Sequence, residues 1–379
     1  MKGLEVWLYT LTYRGLGGWE RYVKYLVRYL PKYNVKLIII DSTCTNYDGS
    51  TGKDICSLKR LLKVPLEPRS RPMIYLDYIF LSAYSATSRL PIDILHVPSQ
   101  ADAHLANVIK ARKYTLTIHG LSMFILPDFR TRLRYGILAK LVRQVDAIIT
   151  VSNWTKELIV KTLNIPASKV YVIYNCVDRS VFNENTHSYD SRILRLLGID
   201  HPYFIHVSSG STLKNTYALL KAAELLDLSR KGITLLFVGI HGERAKRLWE
   251  FAKLRGLARA VRILPPIAND YILTALYRNA LAFILPSFIE NCPFALLEAM
   301  SCGCICIVSN KAALPEIAGD AALYIDPDKP KQLAELMSEV LRGQYSVLKK
   351  AAVSRVLKLF VPETFCKKHI AVYESLMKY

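Results

Sequence analysis

The sequence lacks any hydrophobic run long enough to span a membrane. Unbroken aliphatic runs such as Leu37–Ile40 are far shorter than the roughly 18–20 residues that cross a bilayer. Met1–Leu11 contains Glu5 and no small-residue cleavage site, unlike a signal peptide. These absences argue against a membrane-spanning or secreted protein, and we expect a cytoplasmic one.

Cysteine and glutamine are also scarce. The eight cysteines form no C-x-x-C pair. Cys302, Cys304 and Cys306 alternate as in a strand, which would place three thiols on one face. No His or fourth Cys lies nearby, so we interpret them as buried free thiols rather than metal ligands. The four glutamines, beside abundant Tyr, Ile, Lys and Arg, suggest a thermophile.

Apolar residues and positive charge are plentiful. Hydrophobic residues make up 51% of the 379 residues, enough for real cores, and the length favours two domains. The net charge is +20, and Met1–Asn183 holds 26 Lys and Arg against 13 Asp and Glu. Within it, Lys53–Arg71 and Phe129–Gln144 are strongly basic.

Phe129–Gln144 alternates bases with apolar residues near helical spacing. Such a helix can bind an anionic membrane surface peripherally, or it can be an ordinary surface helix with a solvated basic face. Nucleic acid is a poorer partner, because aromatic residues do not interleave with the bases as stacking platforms. The sequence leaves the first two interpretations open.

Apolar strand-like segments alternate with helical ones along the whole chain. This pattern predicts an α/β protein with two doubly wound, Rossmann-like domains whose parallel sheets are covered on both faces. Ligands are then expected at the carboxyl ends of the strands. Asp178–Arg192 is polar and is predicted to be a linker. The predicted strands are Leu4–Tyr9, Val35–Ile40, Ile94–Val97, Tyr114–His119, Ala147–Val151, Val170–Tyr174, Tyr203–Val207, Thr234–Val238, Val261–Leu264, Leu281–Leu285, Cys304–Ser309 and Ala322–Ile325.

The first predicted strand is followed by a glycine-rich stretch, Gly15–Gly18. Its spacing does not match G-x-G-x-x-G, and no P-loop lysine follows. Glycines before a helix can still receive a phosphate, although this signal alone is weak.

The most informative segment is Pro286–Gly303, which leaves a strand, turns and enters a helix that stops at Gly303. Glu290 lies in the turn and Glu298 in the helix, on the order of 10 Å apart. A retaining glycosidase pair is closer, at roughly 5–5.5 Å, so a hydrolytic pair fits poorly. Two contacts along an extended ligand fit better, with a helix N-terminus facing an anion. Helix capping by Glu290 and a solvated Glu298 are the alternatives.

This segment resembles the E-x7-E signature of retaining GT-B glycosyltransferases, specifically glycosyltransferase family four. Further similar motifs follow in the family's order over nearly the whole chain. They are Gly17-Gly18-Trp19-Glu20, Thr117-Ile118-His119, Val151-Ser152-Asn153-Trp154-Thr155, Asn175-Cys176-Val177-Asp178, Lys214-Asn215 and Leu314-Pro315-Glu316.

The resemblance implies a GT-B fold of two domains facing each other across a cleft. The acceptor-side domain would be 1–183 and the nucleotide-sugar donor domain 184–360, with a helix at 361–379 packing back toward the first. The implied reaction moves a hexose from a nucleotide-diphosphate sugar to an acceptor, either a saccharide or a lipid-linked or cell-surface glycan precursor. Configuration is retained, and no cofactor or metal is expected.

The resemblance also assigns roles to individual residues. Lys214 would neutralise the donor diphosphate, Glu290 would bind donor-sugar hydroxyls, and His119 would contact the transferred sugar near its anomeric centre. Glu298 would bind the nucleotide ribose. The remaining donor-binding residues are Gly17, Gly18, Asn215, Asn291, Cys292, Pro293, Phe294 and Ala295.

Three positions depart from the family pattern. Ser208 and Ser209 stand where an Arg is frequent, so Lys214 would act alone or with another base such as Arg14. Gly120 replaces the Asp that often follows the active-site His. The glycine-rich segment after the first Glu is Asn291-Cys292-Pro293, and Pro293 lacks an N–H.

Two other function classes remain open at this point. One is a sugar-nucleotide epimerase of the same architecture, for which no acid/base set is identifiable. The other is a non-catalytic basic protein that binds a membrane or nucleic acid. Asp326-Pro327-Asp328 resembles a D-x-D metal motif, but it follows the last predicted strand and is interpreted as a turn.

Overall fold

The computed structural model describes residues 4–10, 17–41, 92–107, 109–121 and 138–378. The chain divides into two compact units. Unit 1 comprises Met1–Tyr174 together with Glu363–Tyr379, and unit 2 comprises Asn175–Pro362.

Each unit has a six-stranded parallel sheet. The strand order is β2-β1-β3-β4-β5-β6 in unit 1 and β12-β11-β10-β7-β8-β9 in unit 2. The strands are β1 Leu4–Thr10, β2 Val35–Asp41, β3 Ile92–Val97, β4 Ala111–Ile118, β5 Ala147–Thr150, β6 Val170–Val172, β7 Tyr203–Val207, β8 Thr234–Val238, β9 Val261–Leu264, β10 Ala282–Leu285, β11 Cys306–Ser309 and β12 Leu323–Ile325.

Helices connect most of these strands. The α-helices with described bounds are α1 Gly18–Tyr29, α2 Asn153–Leu163, α3 Ser188–Leu196, α4 Thr216–Leu225, α5 Leu228–Lys231, α6 Gly242–Leu254, α7 Asp270–Arg278, α8 Phe294–Ser301, α9 Leu314–Ala318, α10 Pro330–Leu341, α11 Val347–Leu359 and α12 Pro362–Met377. Their apolar faces cover the sheets. Central strands such as β5, β10 and β11 are therefore buried along their whole length.

The structure confirms the predicted α/β architecture and all twelve predicted strands, with ends that shift by a few residues. Ser152 caps α2 as expected, since its hydroxyl accepts a hydrogen bond from the Thr155 backbone N–H at 3.1 Å. The predicted helix at Met73–Arg89 lies outside the described residues.

The predicted linker Asp178–Arg192 is wrong. Phe182 is fully buried in unit 2, and Arg179 donates to the Ser301 carbonyl at 3.1 Å. Asp190 pairs with Arg278 at 3.1 Å, and both side chains are almost completely buried. Two of its charged side chains, Arg179 and Asp190, make contacts inside unit 2, and unit 2 begins at Asn175, before the expected boundary after Asn183.

The three alternating cysteines do not form a strand-like row. Cys302 follows α8, and only Cys306 belongs to β11. All three are buried free thiols, as interpreted from the sequence. Burial raises the pKa of the Cys304 thiol to about 12, which favours the protonated, apolar form.

Candidate functional site

An ion pair between Lys214 and Glu290 lies at the carboxyl edge of the unit 2 sheet. Lys214 Nζ is 2.6 Å from Glu290 Oε1, and the same oxygen accepts a hydrogen bond from Ser287 Oγ at 2.9 Å. The Glu290 side chain is only 8% exposed, whereas that of Lys214 is 24% exposed. The carboxylate is therefore fixed in the protein, while the ammonium keeps a face toward solvent.

The fold explains why these two side chains meet. Lys214 follows β7 and Glu290 follows β10, which are neighbouring parallel strands. The two loops are joined directly, since the Phe288 N–H donates to the Leu213 carbonyl at 2.9 Å. Asn215 adopts the left-handed conformation with φ 52° and donates to the Pro327 carbonyl at 2.7 Å, which ends the Lys214 turn and begins α4.

Helix α8 begins three residues after the Glu290–Asn291 turn. Pro293 is the N-cap residue of α8. Proline lacks a backbone N–H, but an N–H at this position would have no partner within the helix, so no helical hydrogen bond is lost. The backbone N–H groups of the first turn, at Phe294 and Ala295, point back along the helix axis, the direction from which a helix N-terminus receives an anion. The Asn175 amide donates to the Cys292 carbonyl at 2.7 Å and so holds this turn.

Glu298 is a buried residue of α8, 3% exposed, and accepts a hydrogen bond from the Tyr277 hydroxyl at 3.2 Å. The alternative of a solvated Glu298 is therefore wrong. Glu290 likewise contacts Lys214 and Ser287 rather than capping α8. No motif in the sequence pointed to Tyr277, which belongs to α7.

The serines at the departure from the family pattern have a structural role. His206 Nδ1 donates to the Ile284 carbonyl at 2.8 Å, so its Nε2 accepts from Ser208 Oγ at 2.7 Å. Ser208 Oγ in turn accepts from the Gly210 N–H at 3.1 Å. Burial, with a smaller contribution from nearby Lys214, lowers the pKa of His206 to about 4, which keeps the ring neutral.

A second cation lies beside this loop. Arg244, in the first turn of α6, donates from Nη1 to the Ser209 carbonyl at 3.1 Å. The Arg244 guanidinium thus contacts the backbone of Ser209. Ser209 is one of the two serines at the position where the family frequently has an Arg. Arg14, the base named from the sequence, lies outside the described residues.

His119 belongs to unit 1 and follows β4. Its Nε2 donates to the Pro98 carbonyl at 2.8 Å, and its backbone N–H donates to Gln100 Oε1 at 3.1 Å. Gln100 also donates to the Gly120 carbonyl at 3.1 Å. Burial lowers the pKa of His119 to about 4, so the ring is neutral and Nδ1 carries the free lone pair.

Gly17 and Gly18 also belong to unit 1, at the start of α1. The Gly17 N–H donates to the Glu20 carboxylate, which caps the helix from within the same motif. A Cβ on Gly17 would lie 2.7 Å from Glu20 Oε2, so a larger residue there would have to displace the Glu20 carboxylate. Lys214, Asn215, Glu290, Asn291–Ala295 and Glu298 are gathered in unit 2, whereas Gly17, Gly18 and His119 are in unit 1.

Only residues 138–144 of the basic segment Phe129–Gln144 are described. There, Leu138 and Val142 are buried in the core of unit 1, and Lys140 and Arg143 are exposed. In this part the apolar stripe faces the protein, as in the surface-helix interpretation. Among the residues that the structure describes, no helix is both long and apolar enough to cross a bilayer.

Asp326-Pro327-Asp328 is a turn, as interpreted from the sequence. The Asp328 N–H donates to Asp326 Oδ1 at 3.2 Å, and the Asp326 N–H donates to Gln332 Oε1 at 2.9 Å. Within the described ranges, no group of three or more His, Cys, Asp or Glu side chains is placed to hold a metal.

Known proteins match both units. The family described as Glycosyltransferase Family 4 matches residues 16–181, and that described as Glycosyl transferases group 1 matches residues 196–354. O-antigen chain mannosyltransferase B of Escherichia coli is 28% identical over 56% of this chain and 57% of its own length. O-antigen chain mannosyltransferase RfbU of Salmonella typhimurium is 25% identical over 84% of this chain and 85% of its own.

Solved structures share the fold at low identity. Sucrose-phosphate synthase of Thermosynechococcus elongatus has a TM-score of 0.79 at 17% identity and covers 99% of both chains. HepE of Anabaena in complex with UDP-glucose has a TM-score of 0.73 at 16% identity, over 98% of this chain and 100% of its own. With family matches that together cover most of both units, and with two parallel sheets of this order, the chain belongs to the GT-B glycosyltransferases of family 4.

Proposed function

We propose that this glycosyltransferase transfers a hexose, with retention of configuration, from a nucleotide-diphosphate sugar to a saccharide or lipid-linked acceptor. The observation that carries the proposal is the Lys214–Glu290 pair beside the N-terminus of α8. It brings together a cation, a fixed carboxylate and the N-terminus of a helix, groups that suit a diphosphate joined to a sugar. The complex of HepE with UDP-glucose supports a donor of this class.

Each polar group then has a chemical role. Lys214 and the first turn of α8 stabilise the negative charge that develops on the leaving diphosphate. Glu290, held by Ser287, accepts hydrogen bonds from donor-sugar hydroxyls, and buried Glu298 accepts them from the ribose. The neutral His119 ring accepts a hydrogen bond at Nδ1 from a hydroxyl of the transferred sugar, because Nε2 donates to the Pro98 carbonyl.

The acceptor is activated without a protein nucleophile. A donor-phosphate oxygen on the same face removes the acceptor proton as the glycosidic bond breaks, and the new bond forms on that face. The family resemblance also assigns the backbone amides of Gly17 and Gly18 to the diphosphate; the Gly17 N–H would then exchange the Glu20 carboxylate for a phosphate oxygen. Since protein cations supply the positive charge, we expect transfer to persist in EDTA.

Lys214 alone does not balance a diphosphate, because its charge is already paired with Glu290. Arg244 supplies a further cation next to Ser209. Arg247 provides a matched control, since it lies one turn further along α6 and pairs with Glu243 at 3.1 Å. Arg244→Gln is expected to weaken nucleoside diphosphate binding more than nucleoside binding, and Arg247→Gln to weaken neither.

The test of the whole proposal is a thermal-shift panel of UDP-, GDP- and ADP-sugars, followed by NMR of the first product. A donor that binds the native state raises its melting temperature. The names of the O-antigen chain mannosyltransferase relatives make mannose the first sugar to try in this panel. No shift with any sugar nucleotide, or a product of inverted configuration, would contradict the proposal.

The acceptor proposal includes peripheral contact with an anionic membrane at the inner face of the cell membrane. Exposed Lys140 and Arg143 support it, and each base near such a surface contributes about 1 kcal/mol. Sedimentation with anionic liposomes at low and high salt tests this point. If no protein pellets at low salt, membrane contact is refuted; if a variant with Arg130, Arg132 and Arg134 all changed to Gln binds as well, contact through the basic segment Phe129–Gln144 is refuted.

A further inference from the structure

Five fully buried side chains in unit 1 form a continuous series of hydrogen bonds, which we call the His–Tyr relay. Its members, in order, are Tyr373, His96, Thr117, Tyr22 and His369. The four links measure 2.7, 2.7, 2.9 and 2.7 Å, respectively. The relay joins α12 to α1, β3 and β4, and every member is 0% exposed.

One backbone carbonyl fixes the direction of every proton in the relay. His369 Nδ1 lies 2.8 Å from the Phe365 carbonyl and must donate, so Nε2 of the neutral ring accepts from the Tyr22 hydroxyl. Thr117 then donates to Tyr22. His96 donates to Thr117 from Nε2, and its Nδ1 accepts from Tyr373.

This assignment leaves no hydroxyl or ring nitrogen of the relay without a partner. It requires both imidazoles to be neutral, and burial favours that form by lowering the pKa of His96 well below its ordinary value and that of His369 to about 4. A fully satisfied buried network holds its side chains in one arrangement, because each alternative leaves a polar atom unpaired.

The relay reaches His119 through the ring of Tyr22. The Tyr22 ring packs edge-on against the His119 ring, with centroids 4.8 Å apart and planes at 85°. Thr117, which anchors the Tyr22 hydroxyl, lies two residues before His119 and so shares its side of the chain. The hydroxyl of Tyr22 is therefore held by hydrogen bonds, while its ring packs against the His119 ring.

We propose that Tyr22 is a positioning residue for His119, and that the His–Tyr relay holds the Tyr22 ring in the place that sets the plane of the imidazole. The Pro98 hydrogen bond fixes one point of the His119 ring but leaves rotation about that bond. The Tyr22 edge restricts that rotation and so aims Nδ1. The catalytic consequence rests on the proposed function of His119, whereas the structural coupling does not.

The experiment compares the full-length protein with Tyr22→Phe, which keeps the ring but removes the hydroxyl. Nitrogen-15 NMR of histidine rings reports which ring nitrogen carries the proton. In the wild type we expect protonated Nδ1 at His369 and protonated Nε2 at His96. In Tyr22→Phe the His119 and His369 ring resonances should shift, and kcat should fall on the order of 10-fold, with donor KM changed less than about twofold.

Thr117 supplies a matched pair of variants. Thr117→Val removes the hydroxyl at constant shape and should reproduce both the resonance shifts and the fall in kcat. Thr117→Ser keeps the hydroxyl and should retain the wild-type resonances and kcat. Tyr203→Phe is the control for a lost buried hydroxyl, since Tyr203 in unit 2 donates to the Leu276 carbonyl at 2.7 Å. It should lower stability and leave kcat unchanged.

The outcomes separate the two proposals. Unchanged His119 resonances in Tyr22→Phe, or an equal fall of kcat in Tyr203→Phe, would overturn the positioning role. Protonated Nε2 at His369 in the wild type would overturn the relay's direction. A wild type that transfers no sugar would overturn the proposed function, while the His119 resonances would still decide the coupling to Tyr22.

Discussion

Lowering the pH should destabilise unit 2 through one buried ring, that of His206. This ring is 0% exposed, and its pKa is lowered to about 4 in the folded protein, chiefly by burial. A depressed histidine pKa means that the unfolded chain binds the proton more readily. The contribution of the neutral His206 ring to the free energy of unfolding is thus fully present above pH 6.5 and is lost as the pH falls toward 4.

The magnitude follows from the two pKa values. With about 6.5 unfolded and about 4 folded, linkage gives a loss of about 2 kcal/mol in the free energy of unfolding between pH 7 and pH 5. The assay is guanidinium unfolding at both pH values for the wild type and His206→Gln. Unit 1 is less suitable, because burial raises the pKa of Asp102 to about 7, and that carboxyl stabilises the folded state as the pH falls.

His206→Gln should lower stability at pH 7, since the hydrogen bonds to Ile284 and Ser208 are altered, but its decline between pH 7 and pH 5 should be smaller by about 2 kcal/mol. Tyr203→Phe, on the same strand, removes a buried hydrogen bond without removing an imidazole. It should keep the wild-type pH dependence. An identical pH dependence in the wild type and His206→Gln would refute the assignment.

Three further outcomes are expected. Lys214→Ala and Glu290→Ala should each lower transfer at least on the order of 100-fold, measured as initial rates, the scale for one charge-stabilising or positioning group; an unchanged rate in Lys214→Ala would contradict the phosphate role. Glu298→Ala should raise the calorimetric Kd of the nucleoside diphosphate, and an unaltered Kd would remove the ribose assignment. Gly239→Ala should lower Tm, because φ is +95° and a Cβ would lie 2.8 Å from the Ser208 carbonyl oxygen; an unchanged Tm would show that the loop yields.

Periodicity was sufficient to predict the strands, because central strands such as β5, β10 and β11 are apolar runs buried on both faces of a parallel sheet. It failed at Asp178–Arg192, where charge indicated solvent. Asp190 and Arg278 are far apart in sequence and neutralise each other in the interior. No local pattern distinguishes a charge that meets water from one that meets a distant partner.

The same limit applies to the site. The E-x7-E spacing located Glu290 and Glu298, but it could not show that Lys214 pairs with Glu290 or that Tyr277 binds Glu298. Those contacts depend on which strands are neighbours in the sheet. The His–Tyr relay is even harder to predict from the sequence, since its hydrogen bond between Tyr22 and His369 joins residues 347 positions apart.

The discontinuity of unit 1 has a consequence for biosynthesis. Unit 2 is one continuous stretch that ends at Pro362, whereas unit 1 needs Glu363–Tyr379 in addition to its first 174 residues. A ribosome therefore completes the second unit before it has made His369 and Tyr373. Domains usually fold in the order in which they are synthesised, but here the earlier one must wait, with two buried ring positions unfilled, until the later one is finished.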